Sequence, residues 1–378
     1  MENPTLDVQV LSGDLRAALA NVKRAINPRT SLPILSYGMV ETDNGRLTLH
    51  GTNLEVAISQ TISAKVAGEG RAVIPMHQLA ASLPAKPAGP VRITANGEDV
   101  RVALPSGATL HYHTAEPDDW PNPVRVPDRD PDVSWDSTDL VCAILAVTPA
   151  AAPDMERPIL AGVQLDMHED YTNLVAADSY RLSLTQATPY VGNLDLAGQK
   201  IIIPAASLKV LARLIGKAKV NVDMWHLADR TQVVFAADGW TLISQLVVGV
   251  FPDYNQIIPV SSPYRTVVET AALAAAVKAA TPIARQANNI LRFGRNNGSL
   301  TVSAVSAEVG DIVLSVPATG EGEGRWALRT NYIADALASI TTEHVIMETT
   351  SPSSPVVIRP VEQAPNLTWL IMPMYVAD

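Results

Sequence analysis

Apolar positions along the chain follow two periods that alternate. Stretches with apolar residues at i and i+4 open at Ser12-Gly-Asp-Leu15, Ser137-Thr-Asp-Leu140 and Thr270-Ala-Ala-Leu273, with a further apolar residue at Leu19, Ile144 and Val277. That spacing gives a helix one buried face, and the hydroxyl three residues before each leucine suits an N-cap. A short apolar run precedes each helix at Val8–Val10, Val133–Trp135 and Val267–Val268, and the three starts lie 125 and 133 residues apart. A second series, Arg71-Ala-Val-Ile-Pro75, Lys200-Ile-Ile-Ile-Pro204 and Arg325-Trp-Ala-Leu-Arg329, recurs at intervals of 129 and 125 residues. In it a basic residue opens a β-rich run, and a helix follows with apolar pairs Leu79 and Leu83, Leu208 and Leu211, Ile333 and Leu337. Proline at the joint is tolerated because the first N–H of a helix has no intrahelical partner. Elsewhere the pattern alternates with period two, as in Arg46–His50, Val91–Thr94, Val220–Val222, Gln232–Phe235, Ser299–Val302 and Val345–Met347. Turn pairs such as Asn44-Gly45, Asn96-Gly97, Asp238-Gly239 and Asn297-Gly298 separate these strands.

The repeat predicts an α+β chain of three domains, 1–129, 130–263 and 264–378. Each domain consists of two βαβββ-like halves, so the unit of strand, helix and antiparallel strands occurs six times. Proline-rich linkers at Val126–Pro131 and Pro259–Pro263 mark the boundaries. The chain has 378 residues, more than one hydrophobic core supports. Its 47% hydrophobic and 17% charged composition excludes wholesale disorder. The single cysteine, Cys142, excludes an internal disulfide framework and a cysteine-based zinc site, and its apolar helix predicts a buried thiol. No secretory signal and no apolar run of membrane-spanning length is found, so a cytoplasmic protein without membrane contact is expected.

Net charge is −10, from 28 Lys and Arg against 38 Asp and Glu, which argues against nucleic acid coating the whole surface. Local faces differ. The first helix carries Arg16, Lys23 and Arg24 against Asp14, with Arg29 after it. The helix read from Ser207 places Lys209, Arg213 and Lys217 at i, i+4 and i+8, opposite Leu208, Leu211 and Ile215. Such a stripe is either an ordinary solvated face or one that meets an anion, which would relieve its self-repulsion. Catalytic signatures are missing: there is no nucleophile elbow and no phosphate-binding Gly-Lys-Ser/Thr, and Gly320-Glu-Gly-Glu-Gly324 carries acids that repel phosphate. Asp118 and Asp119, if carried on an extended segment, would point apart and read as solvated surface. His111 and His113 share a strand face without a third ligand. We expect no catalytic residue, no cofactor and no metal site.

Six ordered tracts carry a family resemblance. Thr172-Asn-Leu-Val-Ala-Ala-Asp-Ser-Tyr-Arg-Leu182, Phe251-Pro-Asp-Tyr-Asn-Gln-Ile-Ile-Pro259 and Met372-Pro-Met374 resemble the bacterial sliding clamp family, the beta subunit of DNA polymerase III. Ser31–Leu35, Gly51–Glu55 and Arg157–Leu160 resemble it too, so the likeness runs from about residue 7 to residue 376. The resemblance implies three domains of DNA-clamp topology in a half ring, helices lining the hole and sheets outside. Two chains would close head to tail around double-stranded DNA as a noncatalytic processivity factor. Implied partners are the replicative DNA polymerase, a clamp loader and other proteins with short clamp-binding motifs.

Carried over by position, the DNA-side residues are Arg29, Arg213 and Tyr332; Arg24, Lys209 and Arg329 join them on local charge. The implied peptide cleft comprises Leu160, Ala177, Ser179, Arg181, Leu182, Pro252, Ile257, Leu370, Met372, Pro373 and Met374, although Leu182 and Leu370 also read as ordinary core. Leu110 and Tyr112 would meet Pro282 and Ile283 of a second copy, with Thr109–His113 as an edge strand open to pairing. Several positions depart from the family pattern. Ala205 and Ala206 stand where a basic pair is common, Asp154 replaces a neutral polar residue, Arg329 an asparagine and Tyr375 a basic residue, and Ala377-Asp378 extend the end. These changes predict weaker or redistributed DNA contact, and they motivate the alternative of a clamp-derived peptide-binding or decoy protein that encircles DNA poorly.

Overall fold

The computed structural model describes residues 6–375 apart from 87, 124, 154–156, 193–195, 260–261, 297 and 363–365. Asp154, Asn297, Ala377, Asp378 and the centre of the second linker therefore lie outside the described residues. Six α-helices are present among those described: α1 Ser12–Val22, α2 Met76–Ser82, α3 Ser137–Val147, α4 Ala205–Ile215, α5 Thr270–Arg285 and α6 Thr330–Ala338. Every helix follows one strand; three strands come after α2, α4, α5 and α6, and four after α1 and α3, before the next repeat begins, so the βαβββ-like half occurs six times with an extra strand in two of them. The leucines and other apolar residues read as helix-face positions are buried, among them Leu15, Leu140, Leu208, Leu273 and Ile333.

Two compact units result. The first joins residues up to Ser134 with Ala218–Leu246. Its five-stranded antiparallel sheet runs in the order Lys65–Gly68, Leu6–Leu11, Pro90–Asn96, Asp99–Ala103, Thr109–His113. Its second sheet links Trp240–Gln245 to Val56–Ser63, with Leu242 opposite Ile58, and α1 packs on this sheet and on α2. The other unit joins Trp135–Lys217 with Val247 onward. Twelve strands form one continuous order there, in which Arg181–Ala187 pairs with Thr368–Ile371 and Leu182 faces Leu370. In this unit α3 packs on α4 and α5 on α6. Strands thus pair across both sequence-read block boundaries, and main-chain groups that would stand open at an edge are satisfied.

The helix starts differ from the N-cap expectation. Ser12, Ser137 and Thr270 are the first helical residues, and the capping positions are Leu11, Asp136 and Glu269. Only Asp136 caps with its side chain, accepting from the Thr138 and Asp139 N–H groups. Ser12 is buried and turned elsewhere: its hydroxyl accepts from the Ala88 N–H at 3.0 Å, while its own N–H donates to the Gly89 carbonyl. The same link recurs between halves. Ala205 donates to Ala161, Thr270 to Glu343 and Thr330 to Asn289, so the first N–H of a helix is satisfied by the turn that opens the other half's first hairpin strand. Two further readings change. Cys142 is exposed, because α3 buries Leu140, Ala143, Ile144 and Val147 and turns position 142 outward. Lys217 lies beyond α4, which stops at Gly216 in a positive-φ conformation (φ 61°).

His50 sits in the second sheet of the first unit with Nδ1 2.7 Å from Ser59 Oγ. Burial pushes its pKa down to about 4, and the Arg125 charge adds to the effect. The unfolded chain protonates near 6.5, so unfolding takes up a proton between those values and stability falls as pH drops through that window. His50→Asn should remove about 2 kcal/mol of the stability loss between pH 7 and pH 5, read from urea unfolding at each pH. Identical losses in both proteins would show that His50 is not its source.

Candidate peptide cleft and nucleic-acid interface

Within the second unit, the hairpin Thr172–Ala177 and Arg181–Ala187 meets the segment from Val247 to Ile258 and the chain end. Val175, Leu182, Ile202, Phe251, Tyr254, Val357 and Leu370 form one buried cluster, and Leu160, Ala177 and Met372 pack against its rim. Leu182 and Leu370 are each 2% exposed and therefore form the floor. The accessible wall is Pro252, Ile257 and the half-buried Met372, Pro373 and Met374. Exposed Val248 and Val250 flank it around Gly249, which is held at φ 154° against Ile159.

Hydrogen bonds fix this rim. Asp178 Oδ1 accepts from the Tyr180 and Arg181 N–H groups at 3.0 Å, turning the chain tightly through Ser179 at φ 79°. Ser179 Oγ accepts from Arg157 at 2.7 Å. The Tyr180 carbonyl accepts from the Met372 N–H, and the Ala327 carbonyl from the Met374 N–H, both at 2.8 Å, so the Met372–Met374 segment is tied down. Arg181 does not line an open wall. Its side chain is 9% exposed, pairs with Asp178 at 2.9 Å and Asp335 at 2.5 Å, and lies 4.3 Å over the Tyr332 ring.

A polar network beneath the cleft escaped the sequence reading. Tyr254 donates to Asp166 Oδ2 at 3.0 Å and accepts from Asn173 at 3.2 Å, while Lys200 stands 3.3 Å from Asp166. Burial is the main cause that pushes the Tyr254 pKa up to about 12, and the Asp166 charge acts the same way. The tyrosine is thus neutral, and its hydroxyl anchors the Pro-Asp-Tyr segment to the sheet. Only the Pro-Asp-Tyr tract hinted at this, since Asp166 lies far off in sequence.

Among the six DNA-side candidates, Arg24 and Arg29 are exposed at and after the end of α1 in the first unit. Arg16 is engaged instead, donating to the Leu83 and Pro84 carbonyls beyond α2. In the second unit Lys209 and Arg213 are exposed one turn apart on α4, with no ion-pair partner among the described residues. Ala205 is buried and Ala206 faces solvent, so the start of α4 adds no charge. Arg329 is exposed at the N-terminus of α6. Tyr332 differs from the outward-facing expectation: it is 6% exposed beneath Arg181, and little of the ring is available to a duplex.

The proposed subunit-contact positions are found on separate elements. Thr109–His113 ends the five-stranded order of the first unit, with Leu110 and Tyr112 half-buried on one face. On α5, Pro282 is exposed inside the helix and Ile283 half-buried. His113 pairs with Asp99 at 2.6 Å. No group of three metal-ligating side chains occurs among the described residues, and no helix among them is long and apolar enough to cross a membrane.

Comparison with known proteins places this geometry. Solved clamp structures share the fold: that from Bacillus subtilis superposes with a TM-score of 0.92 at 21% identity, covering 99% of this chain and all of the other. A Pseudomonas aeruginosa clamp bound to griselimycin superposes at 0.88 with 21% identity, covering 98% and 100%. The beta sliding clamp of Staphylococcus epidermidis is 26% identical over 369 residues, 94% of this chain and 96% of that protein, and the Staphylococcus aureus protein is 25% identical over the same share. Family models for the N-terminal, central and C-terminal domains of the DNA polymerase III beta subunit match residues 7–123, 136–253 and 255–375 in turn. Those three matches tile nearly the whole chain, which belongs to the DNA polymerase III beta subunit family.

Proposed function

We propose that this chain is a noncatalytic DNA sliding clamp, in which two copies close head to tail around duplex DNA and tether the replicative polymerase. The observation that carries the reading is the ordered match of all three beta-subunit domains, joined to a helix that presents Lys209 and Arg213 without partners among the described residues. A duplex carries one charge per ~1.7 Å of axis and attracts such cations without any base being read. Contacts of that kind let a ring slide, because base-specific bonds would hold it in place. The domains of the ring are 1–129, 130–263 and 264–378, with Leu110 and Tyr112 of one copy against Pro282 and Ile283 of the next. Lys209, Arg213, Arg24, Arg29 and Arg329 face the DNA, and Tyr332 supports Arg329 and Arg181 from within.

The methionine-lined cleft takes short apolar motifs from the polymerase, the clamp loader and other DNA-processing proteins. Flexible thioethers over a firm floor suit a groove with many clients. Tethering makes each rebinding event intramolecular at high effective concentration, so many nucleotides are copied per encounter. The working compartment is the cytoplasm. The decoy alternative has only Ala205 and Ala206 behind it, and Lys209 and Arg213 follow them on the same helix.

Three experiments test this reading. Loaded onto nicked circular DNA by its loader, the protein should stay bound and then escape when the circle is linearised. Arg213→Glu should lower the salt concentration at which it is released and reduce the log–log salt slope by about one; unaltered release would take Arg213 off the DNA face. Tyr254→Phe should weaken binding of a fluorescent apolar peptide about three- to tenfold, a loss of the size of one hydrogen bond, with circle retention unchanged. Unchanged peptide affinity would disconnect the Asp166 network from the cleft.

A further inference from the structure

The threefold repeat exposes one cation that breaks the pattern. In the second series of strand starts, Arg71 pairs with Asp118 at 2.7 Å and Lys200 with Asp166 at 3.3 Å. The third member, Arg325, is exposed and has no ion-pair partner among the described residues. Arg325 instead lines a groove of about 850 Å³ on the sheet of the third block. Strand register puts it on one face with a second cation: Arg325 lies opposite Gly294 and Arg292 opposite Ala327, two residues along each strand. Arg292 is also exposed and lacks an ion-pair partner among the described residues. Between the two, Gly294 keeps the floor low, since a Cβ there would stand 2.7 Å from Thr301 Oγ1.

This groove runs into the cleft. Pro373, Met374 and the 93%-exposed Tyr375 form one of its walls. The Met374 N–H bonds the carbonyl of Ala327, on the strand Gly324–Arg329 that ends the twelve-stranded order. In an antiparallel ladder alternate residues direct their main-chain groups to the same side, so the Arg325 N–H and carbonyl also point outward along that edge. An extended chain leaving the methionines would therefore meet main-chain groups and then two exposed guanidiniums without ion-pair partners among the described residues, on a protein whose net charge is −10.

We propose that this groove recognises acidic residues flanking the apolar motif of a partner peptide, with Arg292 and Arg325 each pairing with a carboxylate. The inference rests on the cleft reading and extends it. Arg292 and Arg325 set which partners are preferred, while the cleft supplies the common apolar anchor. Both pairs are solvent-exposed, so each should contribute a modest, salt-sensitive gain.

Fluorescence anisotropy with synthetic peptides sharing a Leu-Leu-Phe centre decides the matter, using flanks of two aspartates or two serines placed before or after the centre. One of the Asp-flanked peptides should bind the dimer about three- to tenfold tighter than its Ser-flanked counterpart at low salt. That advantage should vanish at 1 M salt, where the Debye length is about 3 Å, and also in the Arg292→Ser, Arg325→Ser double variant. Binding of the Ser-flanked peptides should be the same in both proteins. An Asp advantage that survives the double substitution, or no advantage in either flank, overturns the groove. Failure of every peptide to bind overturns the cleft itself, and the inference with it.

Discussion

The structure depends on one recurring constraint, the unsatisfied N–H at the start of a helix. In the third block it is met reciprocally: the first N–H of α5 goes to Glu343 before one hairpin, and the first N–H of α6 goes to Asn289 before the other. Ser12 bonds Gly89 and Ala205 bonds Ala161 in the same way. In the third block each half therefore completes the other, and in the first two blocks one helix start is satisfied by the sister half. The two helices of a block are thereby held side by side, with apolar faces on the sheet and the opposite faces free to carry charge.

A second consequence is the continuity of the sheets. Halves joined in this way still leave strands at their ends, and those ends pair onward: Trp240–Gln245 joins Val56–Ser63, and Arg181–Ala187 joins Thr368–Ile371. The latter pairing builds the cleft, because it brings Leu182 against Leu370 as a floor and leaves the residues just beyond, Met372 to Met374, at the rim. Thr109–His113 is left at the end of its sheet order, with Leu110 and Tyr112 on a face that a second copy can cover.

Much of this was legible along the chain because the signals were local. Periods of 3.6 and 2 are set by residues a few places apart, and they placed the six helices and about half of the strands. Misreadings arose where a partner lay far away. Ser12 looks like a cap until Ala88 claims its hydroxyl, Arg181 looks like a cleft wall until Asp335 neutralises it, and Tyr332 looks outward-facing until Arg181 covers its ring. The Asp166–Tyr254 bond and the lack of an ion-pair partner for Arg325 among the described residues belong to the same class, since neither is encoded in spacing. Cys142 is a different case: the apolar content of α3 suggested burial, but angular position on the helix decided exposure.

Closure by an identical copy is the claim on which encirclement rests, and native mass measured at micromolar concentration tests it most directly. The account predicts a particle of two chains that falls to one when Leu110 and Tyr112 are replaced by aspartate. A single chain in the unmodified protein, or a pair that survives those replacements unchanged, would contradict it.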